Sequence, residues 1–494
     1  MAAVVGVCLF AIAQPLAASP DWDLVGLRKQ LTDLSAALRE DEGLRTMSVP
    51  DLVAGLGVPE LDGLETVSHS VALGNDPATL AWTDKRHAIA AMSQIYGGND
   101  NLRTMSAGRE GDTEALEIRA GVLTLDQLRP RMTARHLGRD RTTGADVLRV
   151  PLIVGRDATL RLNAGDVLKL SNNDGAFLVN FGRLEIVGGE ISAFRNDDET
   201  SKEFAPFVTS IGSGTVHLSD ATFRNLGFGF TAKYAGLSIL SHPTMAPDRR
   251  NLIENSRFDN LVAVAIVGVR HVEVRGNRFF DTRRNPLLIS GSPDAVVAGN
   301  LFSGATPTNA IRVANGSDHT KLLRNVILEG SRAGLLISSG SDNVLVEKNL
   351  VWRRNGGGIK LLNVRCGHVV MNLILDDKQK GVEVRNSRDA VISGNRIIGN
   401  DNAGVWVSGN TPENLTYVVG NLLRENGSGL STASAGDIAM QGNDLSNQFP
   451  RFLDGDVTHQ YRAIIDDLKG TRAVRLNSSG VETADRLRPD HCDL

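Results

Sequence analysis

The chain has 494 residues, with 53 Lys and Arg against 57 Asp and Glu, so its formal net charge is -4 at pH 7. Hydrophobic residues make up 41% of it, which excludes a chain that is disordered throughout. The near-neutral charge, with no long basic run, argues against nucleic acid as the main partner. The 51 glycines and an aromatic content of 5% favour stacked short strands over helices.

An apolar segment, VVGVCLFAIAQPLAA, occupies residues 4–18. It is too short to span a bilayer comfortably and ends in small residues, as the apolar part of a secretory signal does. We therefore predict a signal peptide at residues 1–19 and a periplasmic or secreted protein; a buried N-terminal helix is the alternative. No later segment approaches about 18 uninterrupted apolar residues, so no membrane span is predicted in the mature chain.

A small α/β region is predicted over residues 20–150. Near its start, leucines recur at spacings of three and four, which gives a helix with one apolar stripe: Leu24, Leu27, Leu31, Leu34 and Leu38. We expect the stripe to pack on the rest of the protein. A short coiled-coil contact with a partner is the alternative.

Two cysteines, Cys366 and Cys492, remain after the predicted cleavage. Their spacing fits neither a metal site nor an obvious disulfide framework, so Cys366 is expected to be a small buried hydrophobic residue. The DxD-type and HExxH patterns of metal sites are also absent from the sequence. No metal or other cofactor is predicted.

An internal repeat decides the predicted fold. Asparagines recur every 22 to 26 residues, each after a short apolar strand: Asn255, Asn277, Asn300, Asn325, Asn349, Asn372, Asn395, Asn421 and Asn443. About ten residues later a second strand begins, as in AIRV, GLLI, GIKL and GVWV. Asn tolerates left-handed backbone angles, so it suits a sharp corner, and equivalent asparagines can hydrogen-bond along a stack.

Coils of about 22–25 residues with short strands and no helical period predict an all-β solenoid, a parallel β-helix, over residues 151–450. The leucine-rich consensus is absent and the coils are too short for propeller blades. Residues 451–494 are predicted to form a cap and tail. In that segment 459–471 reads as a helix that closes the solenoid, and the last twenty residues read as loose.

Aligning the strands of the repeat predicts which side chains point outward. The predicted outward row is Ser238, Val267, Leu288, Arg312, Leu336, Lys360, Glu383 and Trp406. Just past these strands lie Asn315, Asn363 and Arg385. Cations and amides beside a Trp suit an acidic polysaccharide, because carboxylates pair with Arg and Lys and a sugar face stacks on the ring. We therefore predict substrate-binding roles for Arg312, Asn315, Lys360, Asn363, Arg385 and Trp406; the alternative is a solvated face that only keeps the protein soluble.

Residues 165–240 carry a resemblance to a known family. The strand pair around GAFLVN, the EFAPF step, the NLGFGF turn and the KYAGLSI strand resemble the periplasmic mannuronan C5-epimerases of alginate biosynthesis. The resemblance covers roughly residues 115–450 and is most specific at 165–240. It implies a right-handed parallel β-helix that epimerises D-mannuronate to L-guluronate within the polymer, without a nucleotide cofactor. It also implies a role in guiding polymer through an export assembly.

The sequence departs from the family at the catalytic motif. The family carries Asp-Pro-His-Asp, with the His as base, and no such run occurs in this chain. Alignment places the motif on Leu287–Ser290, with Ile289 at the His position. We therefore consider other proton-transfer groups on the same predicted wall: His242, Tyr234 and Lys233. A lone His in a β-helix turn is more often structural, and packing explains Tyr234 and Lys233 equally well.

Two functional hypotheses follow. The first is a mannuronan C5-epimerase-like protein with a diverged active site that acts on an acidic exopolysaccharide such as polymannuronate; a polysaccharide lyase is its close relative, because both begin by removing the C5 proton. The second is a catalytically inactive subunit that binds or guides the polymer within an export complex. Whether the chain is an enzyme is left open.

Overall fold

The computed structural model describes residues 23–494 apart from 67–68, 70–73, 75, 109–110, 196–203, 243–244, 246–248, 412–413, 486, 490–491 and 493–494. Its main feature is the predicted parallel β-helix. Each complete coil contributes three short strands, which we call the a-, b- and c-strand in chain order, and each set stacks into a wall. The predicted signal peptide at 1–19 lies outside the described residues.

The three walls run the length of the solenoid with parallel pairing between coils. The a-strands are Leu178–Asn180, Val208–Ile211, Gly236–Leu240, Ala263–Val267, Leu287–Ser290, Ile311–Ala314, Leu335–Ser338, Ile359–Leu362, Lys380–Arg385, Ala403–Ser408, Ser428–Ala433 and Arg451–Gly455. The b-strands are Arg183–Val187, Thr215–Ser219, Leu252–Glu254, Glu273–Arg275, Val296–Ala298, Lys321–Leu323, Leu345–Glu347, His368–Val370, Ala390–Ser393, Leu415–Val419 and Asp437–Gln441. The c-strands are Val167–Ser171, Glu190–Phe194, Thr222–Arg224, Arg257–Asp259, Arg278–Phe280, Leu301–Ser303, Val326–Ile327, Leu350–Trp352, Leu373–Leu375, Arg396–Ile398 and Leu422–Arg424. The longer strand Leu152–Leu162 serves both the a- and the b-wall of the first coil.

The corner between b- and c-strands carries the predicted asparagine ladder. Asn300 Oδ1 accepts hydrogen bonds of 2.9 Å from both the backbone and the side-chain nitrogen of Asn277, and this contact recurs from coil to coil. The predicted stacking is confirmed, but the predicted left-handed position is wrong by one residue. The residue before each ladder asparagine takes the positive φ, as Gly299 does at +63°. The asparagine side chain instead turns inward, because the buried backbone groups of the tight corner need partners.

Asn255, the first member of the predicted series, is a related correction. It has φ +47° and occupies the left-handed position itself. Ser256 takes the inward position in its place, and its backbone nitrogen donates to Asn277 Oδ1 over 2.9 Å.

The N-terminal region is a small α/β unit wrapped around the solenoid, as predicted. Its elements are the α-helices Leu24–Glu40, Val49–Val53, Lys85–Ile95, Asn101–Met105 and Leu125–Leu128, the 3-10 helices Leu44–Thr46, Ala54–Leu56, Pro59–Leu61 and Arg129–Arg131, and the strands Thr79–Asp84, Glu114–Thr124, Leu137–Arg139 and Asp146–Leu148. The leucine stripe of the first helix is buried against Leu301, Leu350 and their neighbours on the outside of the c-wall. The stripe therefore packs on the solenoid, and the coiled-coil alternative is wrong.

The helix Lys85–Ile95 covers the outer face of the first a-strands. Ile89 and Met92 pack there with Phe177, Val179 and Ile211. This apolar contact closes the a-wall at its N-terminal end, whereas from Leu288 onward the a-wall presents polar and half-exposed residues. The covered and open parts of one wall define where a long ligand can lie.

The C-terminal segment closes the last coil with less helix than predicted. A 3-10 turn, Thr458–Gln460, precedes a single short helix, Tyr461–Ile465. The first part of the tail predicted to be loose, up to Thr483, instead forms a β-hairpin of Val474–Asn477 with Gly480–Thr483, which pairs antiparallel with the last b-strand. Ile464 and Leu476 are buried in the solenoid core, so pairing and apolar burial together protect the end of the stack.

Cys366 and Cys492 form a disulfide across 126 residues of sequence, with their Cα atoms 5.5 Å apart. The expectation that the cysteines form no disulfide is therefore wrong. Cys366 sits at a buried turn after an a-strand, and the disulfide holds Cys492 of the C-terminal tail at that turn. Sequence spacing could not predict this contact, because the distance between the two positions is set only when the coils stack.

Candidate functional site

The open a-wall aligns one outward side chain from each coil into a row, which we call the face ladder. Strand register places these residues opposite one another: Ala265, Leu288, Arg312, Leu336, Lys360, Glu383, Trp406 and Ser431. The predicted row is correct from Leu288 to Trp406, and Ser238 also belongs to it. Val267 does not belong; the strand register puts Ala265 on this rung, and Val267 lies two residues further along, opposite Ser290.

A second outward row runs beside the face ladder, two residues further along each strand. Arg385 belongs to it and is paired with Leu362 and Ser408 on the neighbouring strands. Arg385 and Glu383 lie on the same strand and the same face, since side chains alternate along a strand. The guanidinium of Arg385 therefore stands beside the face ladder, one rung from Lys360 and one from Trp406.

Charges on this face cluster around one carboxylate. One carboxylate oxygen of Glu383 lies 3.1 Å from Lys360 Nζ, and the other lies 3.9 Å from Lys380 Nζ. The ammonium of Lys380 is also 4.6 Å from the centroid of the Trp406 ring, which is a cation–π contact. The cluster fixes the position of two ammonium groups and an indole along three successive rungs.

Lys380 was missed by the sequence argument. Strand Lys380–Arg385 starts two residues earlier than the preceding a-strand, so Lys380 lies before the segment that was aligned. Strict alternation would put Lys380 on the inward side with Val382 and Val384, so the sequence pattern did not point to it. Its ammonium group reaches Trp406 only because the next coil stacks on this one.

Arg312 and Arg385 are exposed, and no described carboxylate lies within ion-pair distance of either. The a-strands from Leu287–Ser290 to Ser428–Ala433 carry four cations and one carboxylate, so this face has an excess of positive charge. Cations without an internal partner attract anionic ligands from solution. The face therefore suits a ligand with several negative charges spaced along its length.

Asn315 and Asn363 follow their a-strands in the left-handed conformation, with φ +59° and +56°. Both are exposed at the edge of the face. Asn315 Nδ2 donates to Ser290 Oγ over 2.8 Å, which leaves its amide oxygen as an acceptor. These amides offer hydrogen-bonding groups at the edge of the open face.

Lys233 and Tyr234, two of the predicted proton-transfer residues, are fully buried beneath the N-terminal region. Tyr234 donates its hydroxyl proton to Asn101 Oδ1 over 2.8 Å, and Lys233 Nζ lies 3.4 Å from the carbonyl oxygens of Tyr96 and Gly98. Burial raises the pKa of Tyr234 to about 12 and lowers the pKa of Lys233. Their contacts hold the helix-bearing region onto the solenoid rather than facing the open wall.

His242 lies at the N-terminal end of the open wall and is exposed. Backbone hydrogen bonds align its neighbour Ser241 with Gly268, Gly291 and Asn315 on successive coils. Three rungs of about 4.8 Å separate the Ser241 and Asn315 positions, roughly 14 Å. The structure thus does not bring His242 together with the cationic part of the face ladder.

The strand at the family motif position, Leu287–Ser290, offers no proton-transfer group. Leu287 and Ile289 point into the core, and Leu288 alone of the three is half-exposed. Within the described ranges, no three His, Cys, Asp or Glu side chains converge as metal ligands, and no helix is long and apolar enough to cross a membrane.

Comparisons with known proteins agree with this fold. Residues 205–351 match the family described as right handed beta helix region, and residues 317–462 match the one described as periplasmic copper-binding protein (NosD). A solved structure of the periplasmic alginate epimerase AlgG is 18% identical, covers 81% of this chain and 96% of its own, and superposes with a TM-score of 0.63. The predicted right-handed parallel β-helix is confirmed.

The resemblance to mannuronan C5-epimerases is also confirmed. The Pseudomonas putida mannuronan C5-epimerase is 24% identical over 335 residues, covering 64% of this chain and 63% of the relative. The Pseudomonas aeruginosa enzyme is 25% identical over 406 residues, covering 75% of this chain and 74% of the relative. This chain therefore spans about 63% of the length of the first of these relatives.

Proposed function

We propose that this chain acts on an acidic exopolysaccharide such as polymannuronate, as a mannuronan C5-epimerase-like protein with a diverged active site. The observation that carries the proposal is the open a-wall, on which Arg312, Lys360 and Trp406 share one row and Arg385 stands next to it. Arg385 is one coil from Trp406, Lys360 is two coils away and Arg312 is four. The rungs are about 4.8 Å apart, close to the length of one sugar ring. A linear polyuronate lying along the wall would thus meet a new rung with about every residue.

The polymer would be held by two kinds of contact. Arg312 and Arg385, which lack an internal carboxylate partner among the described residues, would bind uronate carboxylates. Trp406 would stack on a sugar face, with Lys360 beside it and Asn315 and Asn363 bonding hydroxyls at the edge. Each contact uses charge or ring geometry, and none requires a cofactor.

Epimerisation would need three groups at one sugar. A cation neutralises the carboxylate and acidifies the C5 proton, a base removes that proton from one face, and an acid returns a proton from the other. If the 4-O substituent leaves before reprotonation, the product is that of a lyase. His242 is the exposed member of the three proposed proton-transfer residues, so it is the base candidate to test. Lys233 and Tyr234 are buried and would hold in place the strand that precedes it.

A second candidate function is a catalytically inactive protein that binds or guides the polymer, with export-complex proteins as partners. Two observations favour it. Ile289, onto which the sequence alignment puts the family base, points into the core, and roughly 14 Å of wall separates the His242 region from the cationic residues. A base and a carboxylate-binding cation so far apart cannot serve the same sugar ring.

We place the protein in the periplasm or outside the cell. The disulfide between Cys366 and Cys492 supports this assignment, because such bonds persist in oxidising compartments and are rare in the cytosol.

The deciding experiment is proton NMR of the full chain incubated with polymannuronate in D2O. New guluronate signals, or deuterium at C5, would establish epimerisation, and an unsaturated uronate signal would establish a lyase. In either case we expect His242→Ala to abolish the signal while His87→Ala, at an exposed histidine of the N-terminal region, retains it. No chemical change with saturable binding in calorimetry would establish the binding function. If polymannuronate is neither changed nor bound, the proposal is overturned.

A further inference from the structure

A polar cavity lies away from the open a-wall. It has a volume of about 680 Å³ and sits at the corner between the a- and b-walls of the first coils. One side is formed by Gly74, Asp76 and Gly121 of the N-terminal region, and the other by coil residues around Arg156 and Gly182. This volume is in the range of small-ligand sites.

The floor of the cavity contains a buried carboxylate shared by two guanidinium groups. Glu185 is 1% exposed, and its two oxygens accept from Arg161 Nε at 2.9 Å and from Arg183 Nε at 2.6 Å. One negative charge therefore serves two positive ones in a place from which water is largely excluded. Buried charges that are not balanced are costly, so this floor favours an additional anion.

Two further arginines raise the positive charge. Arg249 and Arg156 line the cavity, and neither has an ion-pair partner among the residues that the structure describes. Burial and repulsion from Arg249 and Arg161 lower the pKa of Arg183, although Glu185 opposes the shift. The guanidinium groups are thus close enough to repel one another, which a bound anion would relieve.

We propose that this cavity binds a short acidic oligosaccharide, with a uronate carboxylate on Arg156, Arg183 and Arg249. The rim also carries Asp76 and Asp157, which are exposed. Carboxylates accept hydrogen bonds from sugar hydroxyls, so a lining that mixes guanidinium and carboxylate groups suits a hydroxyl-rich carboxylate ligand better than inorganic phosphate. The site is separate from the open a-wall, and its occupancy does not depend on turnover there.

The test is calorimetric titration of the full chain with trimannuronate. The double variant Arg156→Gln/Arg249→Gln removes two exposed cations of the cavity without touching the buried Glu185 pairs, so it should fold. We expect its Kd to rise at least tenfold. Arg250→Gln, next in sequence and 71% exposed in its side chain but outside the cavity lining, is the matched control and should stay within twofold.

A further variant separates this cavity from the open a-wall. Trp406→Ala should leave trimer binding at the cavity intact. Wild-type affinity in the double variant would overturn the proposal, as would loss of all trimer binding in Trp406→Ala. Displacement of the trimer by equimolar inorganic phosphate would also overturn it, since the cavity would then be a general oxyanion site.

Discussion

The ammonium nitrogen of Lys380 lies 4.6 Å from the centroid of the Trp406 ring and 3.9 Å from a carboxylate oxygen of Glu383. Lys380 and Trp406 belong to adjacent coils, and Glu383 holds the lysine in place between them. The indole is therefore fixed in orientation before any ligand arrives, and part of it stays exposed on the open a-wall. A pre-oriented aromatic ring loses little conformational freedom when a sugar stacks on it.

Trp406→Ala should weaken polymannuronate binding about tenfold, because a stacking contact is worth about 1–1.5 kcal/mol. Calorimetry with polymer of defined length measures the effect. Trp82→Ala is the control, since Trp82 is 47% exposed but belongs to the N-terminal region. Equal affinity in the Trp406 and Trp82 variants would show that the ring takes no part in binding.

Arg385→Gln should weaken polymer binding and also reduce its dependence on salt, because one charged contact with the polymer is lost and exposed contacts are screened. Affinity is measured between 50 and 300 mM salt, a range over which the Debye length passes through about 8–10 Å. Arg353→Gln, on the wall that the N-terminal helix covers, should behave like the unaltered protein. An unchanged salt slope for Arg385→Gln would argue against a carboxylate contact at this position.

Asn325→Ala should destabilise the solenoid strongly. Its side chain accepts from the backbone and side-chain nitrogens of Asn300 and donates to Asn349 and to the carbonyl oxygen of Val297. Removing it leaves several buried groups unpaired, for a loss of roughly 3 kcal/mol or more. Chemical denaturation measures this loss, with the exposed Asn402→Ala as control; similar midpoints for the two variants would contradict a structural role for the ladder.

His368 should make the protein less stable in acid. It lies between Leu345 and Val391 in the b-wall, and burial lowers its pKa to about 4. In the unfolded chain the pKa of this histidine is near 6.5, so the unfolded chain takes up the proton first as the pH falls. The contribution of His368 to the free energy of unfolding is therefore fully present above about pH 6.5 and declines below it, and about 3 kcal/mol is lost near pH 4.

The variant His368→Val removes the titrating group and puts an apolar side chain next to Leu345 and Val391. Its free energy of unfolding should therefore fall less between pH 7 and pH 4 than that of the parent protein. His87→Ala, at an exposed position, should keep the parent's slope. Parallel pH profiles for His368→Val and the parent would refute the assignment.

Cys492→Ser should lower stability by about 2–4 kcal/mol, because the bond to Cys366 closes a loop of over a hundred residues. It should also expose the C-terminal hairpin to proteases, since the tail loses its tether. Cys366→Ser and the double variant should match the single change, as the bond needs both sulfurs. A wild-type unfolding midpoint in Cys492→Ser would exclude a stabilising role for the disulfide.

The sequence alone determined the solenoid, because the asparagines recur every 22–26 residues and apolar residues alternate within each strand. Repeating coils of this kind bury their apolar side chains and pair their strands only by stacking on one another. It also determined most of the face ladder, since strand alternation fixes which side of the wall Arg312, Lys360 and Trp406 face. The resemblance at 165–240 indicated the same fold by a separate route.

Only the tertiary structure decided the contacts between distant segments. Burial of Lys233 and Tyr234 depends on where the N-terminal region docks, and the pairing of Cys366 with Cys492 depends on the path of the tail. Ala265 rather than Val267 lies in the face ladder because of the register between neighbouring strands, which depends on which residue of a strand pairs first with the preceding coil. A repeat specifies the stacking of its coils, but not what packs against their outside, because those contacts arise from segments that lack the repeat.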